Sequence, residues 1–108
     1  MPRCRITVLK TMVNQDLIDE YLSKGFKKIY KDRGFGPCDR FEVGQEFIVE
    51  RPDVMPDNFC AWAWTDIHRD LLAVLYGANL PWIEEEARAI ACCTDGLRPV
   101  VFRLERID

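Results

Sequence analysis

Residues 87–106 read ARAIACCTDGLRPVVFRLER, and this stretch decides the sheet. Asp95-Gly96 is the signature of a two-residue type I′ turn, whose central residues need positive φ; Asp tolerates it and Gly adopts it freely. On the return, Val100, Phe102 and Leu104 alternate with Val101, Arg103 and Glu105, the period of a strand with one buried face. With Thr94 opposite Leu97, Cys93 falls on the face of Val100 and Phe102, along with Ala87, Ala89 and Ala91. Cys92 falls on the other face, with Ile90 and Val101. Adjacent strand residues point to opposite sides, so a regular hairpin cannot give both thiols to one site. Pro99 lacks an N–H and is the residue able to bulge this register. Three alanines on one face leave room for something wide across them, most simply a helix.

The rest of the chain supplies the partners. Residues 3–10 alternate, with Cys4, Ile6 and Val8 on one side and Arg3, Arg5 and Thr7 on the other, which predicts a strand with Cys4 at the edge of the core. Asn14 is a good N-cap, Leu17, Ile18, Tyr21 and Leu22 form an apolar stripe, and Gly25 can end a short helix over 15–24. Its acids lie early and its lysines late, as the helix dipole favours. Residues 41–50 read as a strand broken near Val43-Gly44, with Phe47 and Val49 inward. Pro52 and Pro56 make 51–58 a connection, and Asp57 or Asn58 then caps a long helix over about 59–77. Cys60, Trp64, Ile67, Leu71 and Val74 fall on one face of it at i, i+3 and i+4 spacing. The expectation is an α+β domain: a small antiparallel or mixed sheet of N-terminal strand, central strand and C-terminal hairpin, with one short and one long helix packed on it.

Composition narrows the function classes. At 108 residues, 48% apolar and 31% charged, the chain is a single ordinary domain over 1–108. A formal net charge of −3 gives no general pull toward nucleic acid or an anionic membrane. No apolar run approaches the ~20 residues of a membrane span. The start, Met1-Pro2-Arg3-Cys4, lacks the apolar region of a signal peptide, so a cytoplasmic protein is expected. Lys27, Lys28, Lys31 and Arg33 interleave with Phe26, Tyr30 and Phe35, a mixture able to meet phosphates or bases. The acidic balance argues against that use, and a solvated basic loop over 27–33 is the plainer reading. Gly34-x-Gly36 is followed by Pro37 and is no phosphate loop.

Five cysteines, an odd number without the paired spacings of a secreted framework, point to free thiols, metal ligands or a redox pair. Cys60 stands at the start of the long helix, where unpaired N–H groups stabilise an anion, and it faces the sheet that carries Cys93. Cys38 follows a Gly-Pro turn able to bring it to the same end. Cys38, Cys60 and Cys93, with Cys92 or Cys4 as a fourth, are therefore the candidate ligands for zinc or an iron–sulfur cluster, although no Cys-x-x-Cys pair is present. Cys60, Cys93 and Asp95 are the candidate catalytic groups, and turn formation alone already accounts for Asp95. Buried cysteine also serves as a small apolar filler, the competing account for every one of these thiols. His68, the lone histidine, lies at a helix border with no triad spacing around it. The three tryptophans are read as core and rim packing before a pocket lining.

Several stretches resemble one family: RITVLK at 5–10, GPC at 36–38, GQEFIV at 44–49, FCAWAW at 59–64 and CCTDGLRPVVF at 92–102. They are similar to a family of uncharacterised small proteins of anaerobic bacteria and archaea, and the similarity covers nearly the whole chain. The stretch 24–34 is longer than that family's pattern. The resemblance implies no catalytic mechanism, but it places Cys38, Cys60 and Cys93 inside the motifs. Two functions follow as expectations. The first is a cysteine site, either binding a metal or cluster or acting in thiol redox chemistry. The second is a non-catalytic interaction or homo-oligomer-forming module, using strand edges and the aromatic loop, with structural cysteines.

Overall fold

The computed structural model describes residues 2–30 and 36–107. In them the chain forms β1 (Cys4–Thr11), α1 (Gln15–Tyr21), α2 (Lys24–Ile29), β2 (Glu46–Val49), α3 (Ala61–Leu75), β3 (Arg88–Cys92) and β4 (Val100–Arg106). The α+β architecture is as expected, and the sheet is wholly antiparallel, in the order β2-β1-β4-β3. Alternation along each strand gives it one apolar face. Cys4, Ile6 and Val8 of β1, Val100, Phe102 and Leu104 of β4, Phe47 and Val49 of β2 and Ala89 of β3 are all buried. Ala63, Ile67, Leu71 and Val74 of α3 close over them. The helix lies mainly on β3 and β4, where Ala89 and Ala91 let it come close.

The other face is polar where it is shielded. Glu105, only 8% exposed, is held there by Arg5 at 3.3 Å, Arg88 at 3.2 Å and Arg103 at 3.5 Å. At one end of the core, Phe41, Phe47, Phe59 and Phe102 meet mostly edge-on, with centroids 4.9–5.9 Å apart, the geometry their ring quadrupoles favour. That cluster fixes both the loop before β2 and the start of α3.

The hairpin departs from the type I′ expectation. Cys92 pairs with Val101 and Ala91 with Phe102, and the Cys93 N–H donates to the Val100 carbonyl at 3.1 Å. Residues 94–99 are thus a six-residue loop, and neither Asp95 nor Gly96 has positive φ. Asp95 itself shapes the loop: its Oδ1 accepts the Leu97 and Arg98 N–H groups at 2.9 and 3.1 Å, an Asx-type turn that replaces the primed one. Pro99 has no N–H for the ladder, and its carbonyl and that of Leu97 accept instead from Met12 and Asn14. The register is two residues away from the expected one. A slip of two preserves the faces, so Cys93 still shares the core side and Cys92 the other.

Helix boundaries also differ. Cys60, not Asp57 or Asn58, is the N-cap of α3, and Asn58 has a φ of 64°. The C-terminus is a Schellman motif, with Gly77 N–H on Val74 O and Ala78 N–H on Ala73 O. The expected helix over 15–24 ends at Tyr21, and a second helix, α2, runs over Lys24–Ile29, so Lys27 and Lys28 are helical rather than part of a loop. Leu22 is extended, Ser23 caps α2 by accepting the Phe26 N–H, and Gly25 lies inside α2 rather than ending α1. Of the expected strand over 41–50 only Glu46–Val49 is strand, and the residues before it form a turn in which Gly44 has a φ of +90°. Of the basic segment 27–33, residues 31–33 lie outside the described residues, as do Gly34 and Phe35.

Two left-handed positions make opposite predictions. Gly77 has a φ of +101°, and a Cβ there meets only Arg106 Nη1 at 3.6 Å, so any cost of Gly77→Ala is backbone strain. Denaturant unfolding should show a loss of roughly 1–2 kcal/mol. Ala87 sits at a φ of 60°, and Ala87→Gly should raise stability by roughly 1 kcal/mol because it relieves the same strain.

Candidate functional site

The N-terminus of α3 opens into a cleft of about 650 Å³, lined among others by Cys38, Cys60 and Cys93 with Phe41, Trp62 and Arg98. The three thiols arrive by different routes. Cys60 is the N-cap residue itself, with φ −82° and ψ 125°, and its side chain makes no capping hydrogen bond. The N–H groups of Ala61, Trp62 and Ala63 have no partner within the helix, so the sulfur stands at the positive end of the dipole. Cys93 follows β3 on the core face, and its Sγ accepts the Val100 N–H at 3.2 Å. Cys38 lies on the loop after Gly36-Pro37, three residues before the buried Phe41 that anchors that loop. All three are half-buried and rest against the core.

An acid that sequence reasoning missed ties the cleft together. Asp66, in the second turn of α3, accepts from the Thr94 N–H at 2.8 Å and from the Thr94 hydroxyl at 3.0 Å. This clamps the hairpin loop to the helix just beyond Cys93. Nothing local marks such a residue, because its partner is 28 positions away. Asp95 lines the same cleft, but its Oδ1 is engaged by the loop backbone. Arg40 and Arg98 supply positive charge to the lining and Asp39 negative.

The other candidates are placed elsewhere. Cys92 is exposed on the opposite face of β3. Cys4 is fully buried in the core, and burial pushes its thiol up from 9.0 to about 11, with the nearby Glu105 carboxylate adding to the rise. Among the described residues no three His, Cys, Asp or Glu side chains are grouped to hold a metal ion. The three cleft cysteines therefore share a cavity without forming a ready zinc or iron–sulfur ligand set. His68 donates from Nε2 to the Pro52 carbonyl at 2.7 Å and packs edge-on against Trp64, so it fastens the connection before α3 to that helix. Of the tryptophans only Trp62 reaches the cleft, while Trp82 is exposed away from it. No helix among the described residues is long and apolar enough to cross a membrane.

Comparison with known proteins returns no match, whether to family models, to curated proteins or to solved structures.

Two measurements test this geometry. Asp66→Ala removes both bonds to Thr94 at a partly exposed site, which should cost roughly 1 kcal/mol and speed hydrogen exchange at the Thr94 amide. The buried Cys4 thiol makes stability fall at alkaline pH. Below about pH 9 native and unfolded chains both keep the proton. Between 9 and about 11 the unfolded chain loses it first, so the native state is disfavoured. The loss should total roughly 3 kcal/mol in the wild type relative to Cys4→Ala, read as the difference between their urea midpoints across that range.

Proposed function

We propose that the cleft at the start of α3 is a thiol–disulfide exchange site with Cys60 as the attacking sulfur. The observation that carries this reading is that three free cysteines, from a loop, a helix cap and a strand end, line one solvent-reached cavity. Cys60 is given the attack because it is the cap residue at the open end of α3 and lines the cleft. The thiolate of Cys60 displaces one thiolate from a small disulfide, forming a mixed disulfide. A second cleft thiol, Cys93 or Cys38, then attacks Cys60 Sγ and expels the other half. The protein dithiol is oxidised by two electrons, the substrate disulfide is reduced to two thiols, and the two protons pass from cysteine to product. The motif resemblance supports the same residues, since Cys38, Cys60 and Cys93 all stand within its matching stretches.

Titration of the reduced protein with a small disulfide, followed by peptide mapping, tests the reading. One intramolecular disulfide joining Cys60 to Cys93 or Cys38 is expected. Cys60→Ser should abolish it, with no other cleft disulfide forming at the wild-type rate, while Cys92→Ser leaves the rate unchanged. A mixed disulfide confined to Cys92 is the contrary result.

A further inference from the structure

The segment α1–α2 leaves the body of the molecule. Among the described residues neither helix packs its backbone against the sheet or α3. The radius of gyration is 15.6 Å and the extents are 48 × 29 × 20 Å, against a radius of about 13 Å for a compact domain of this length. Asn14 tethers the root of the arm, donating from Nδ2 to the Gly96 carbonyl at 2.6 Å and from its N–H to Leu97 at 2.9 Å. Ile18 is buried, but Leu17, Tyr21, Phe26 and Ile29 are 38%, 70%, 51% and 69% exposed. Helices of seven and six residues fall below the ~12–15 residues at which an isolated helix holds in water. Such an arm needs an apolar surface to lie on.

Its charges say which surface. Every charged residue of α1 is acidic (Asp16, Asp19 and Glu20), every charged residue of α2 is basic (Lys24, Lys27 and Lys28), and all six are exposed. Each half also offers an apolar pair at helical spacing, Leu17 with Tyr21 and Phe26 with Ile29. A surface split in this way is complementary to itself after a half-turn. We infer that the arm is a homodimer interface, in which α1 of each copy packs against α2 of the other about a two-fold axis. A polyanion or an anionic membrane would favour α2 and be repelled by α1, so neither matches the whole arm.

Two charge-swapped variants of the full chain test this. They are Asp16→Lys with Glu20→Lys, and Lys24→Glu with Lys28→Glu; none of the four makes a contact that holds the arm's own fold. The wild type is expected to be a dimer by sedimentation equilibrium. Each variant alone, with like charges facing across the axis, should lose the dimer while the body of sheet and α3 still unfolds cooperatively as in the wild type. An equimolar mixture should recover it, because both α1–α2 contacts are then between opposite charges. A wild type that stays monomeric at high concentration overturns the proposal. So does a dimer kept by both variants, which would place the contact elsewhere, for example at the free β3 edge, and so does a mixture that fails to associate.

Discussion

The close approach of α3 to β3 and β4 is the constraint from which the rest of the structure follows. Ala89 and Ala91 on the sheet, and Ala63 on the helix, remove the bulk that would hold the layers apart. Ile67, Leu71 and Val74 can then reach Val100, Phe102 and Leu104. Close packing of this kind tolerates little change in volume at the contact. A larger side chain at Ala89 would lift the helix and, with it, the cap residue Cys60.

The cleft is a consequence of that packing. Phe59 is held in the aromatic cluster and puts the first turn of α3 at the sheet end where β3 stops. Phe41 belongs to the same cluster and brings the Cys38 loop there. Asp66 joins the helix to Thr94 from the other side. The same side chains that complete the core thus carry three free thiols to one opening. Cys4, by contrast, is sealed from the cleft and from solvent within the core.

What could be read beforehand was what repeats with a short period. The alternation in 4–8 and 100–104 and the stripe from Ile67 to Val74 each report burial directly. The face of Cys93 survived a wrong turn type because parity is unchanged by a two-residue slip. The turn itself was not legible, since Asp95 can serve either a primed turn or an Asx turn, and the loop that forms is held by backbone bonds from Met12 and Asn14, just past β1, to Pro99 and Leu97. The break at Leu22-Ser23 was hidden because the stripe of Leu17, Ile18, Tyr21 and Leu22 runs straight into it. The cap at Cys60 and the clamp by Asp66 depend on contacts distant in sequence, for which neighbouring residues carry no sign.

The central claim is that Cys60 shares a working cavity with Cys93 and Cys38. Dibromobimane, which fluoresces fully only when two thiols close on its two arms, tests it most directly, with the bridged peptides then identified by mass. The geometry predicts a bridge from Cys60 to Cys93 or Cys38. Single alkylation at Cys92, with no bridge formed at Cys60, would contradict it.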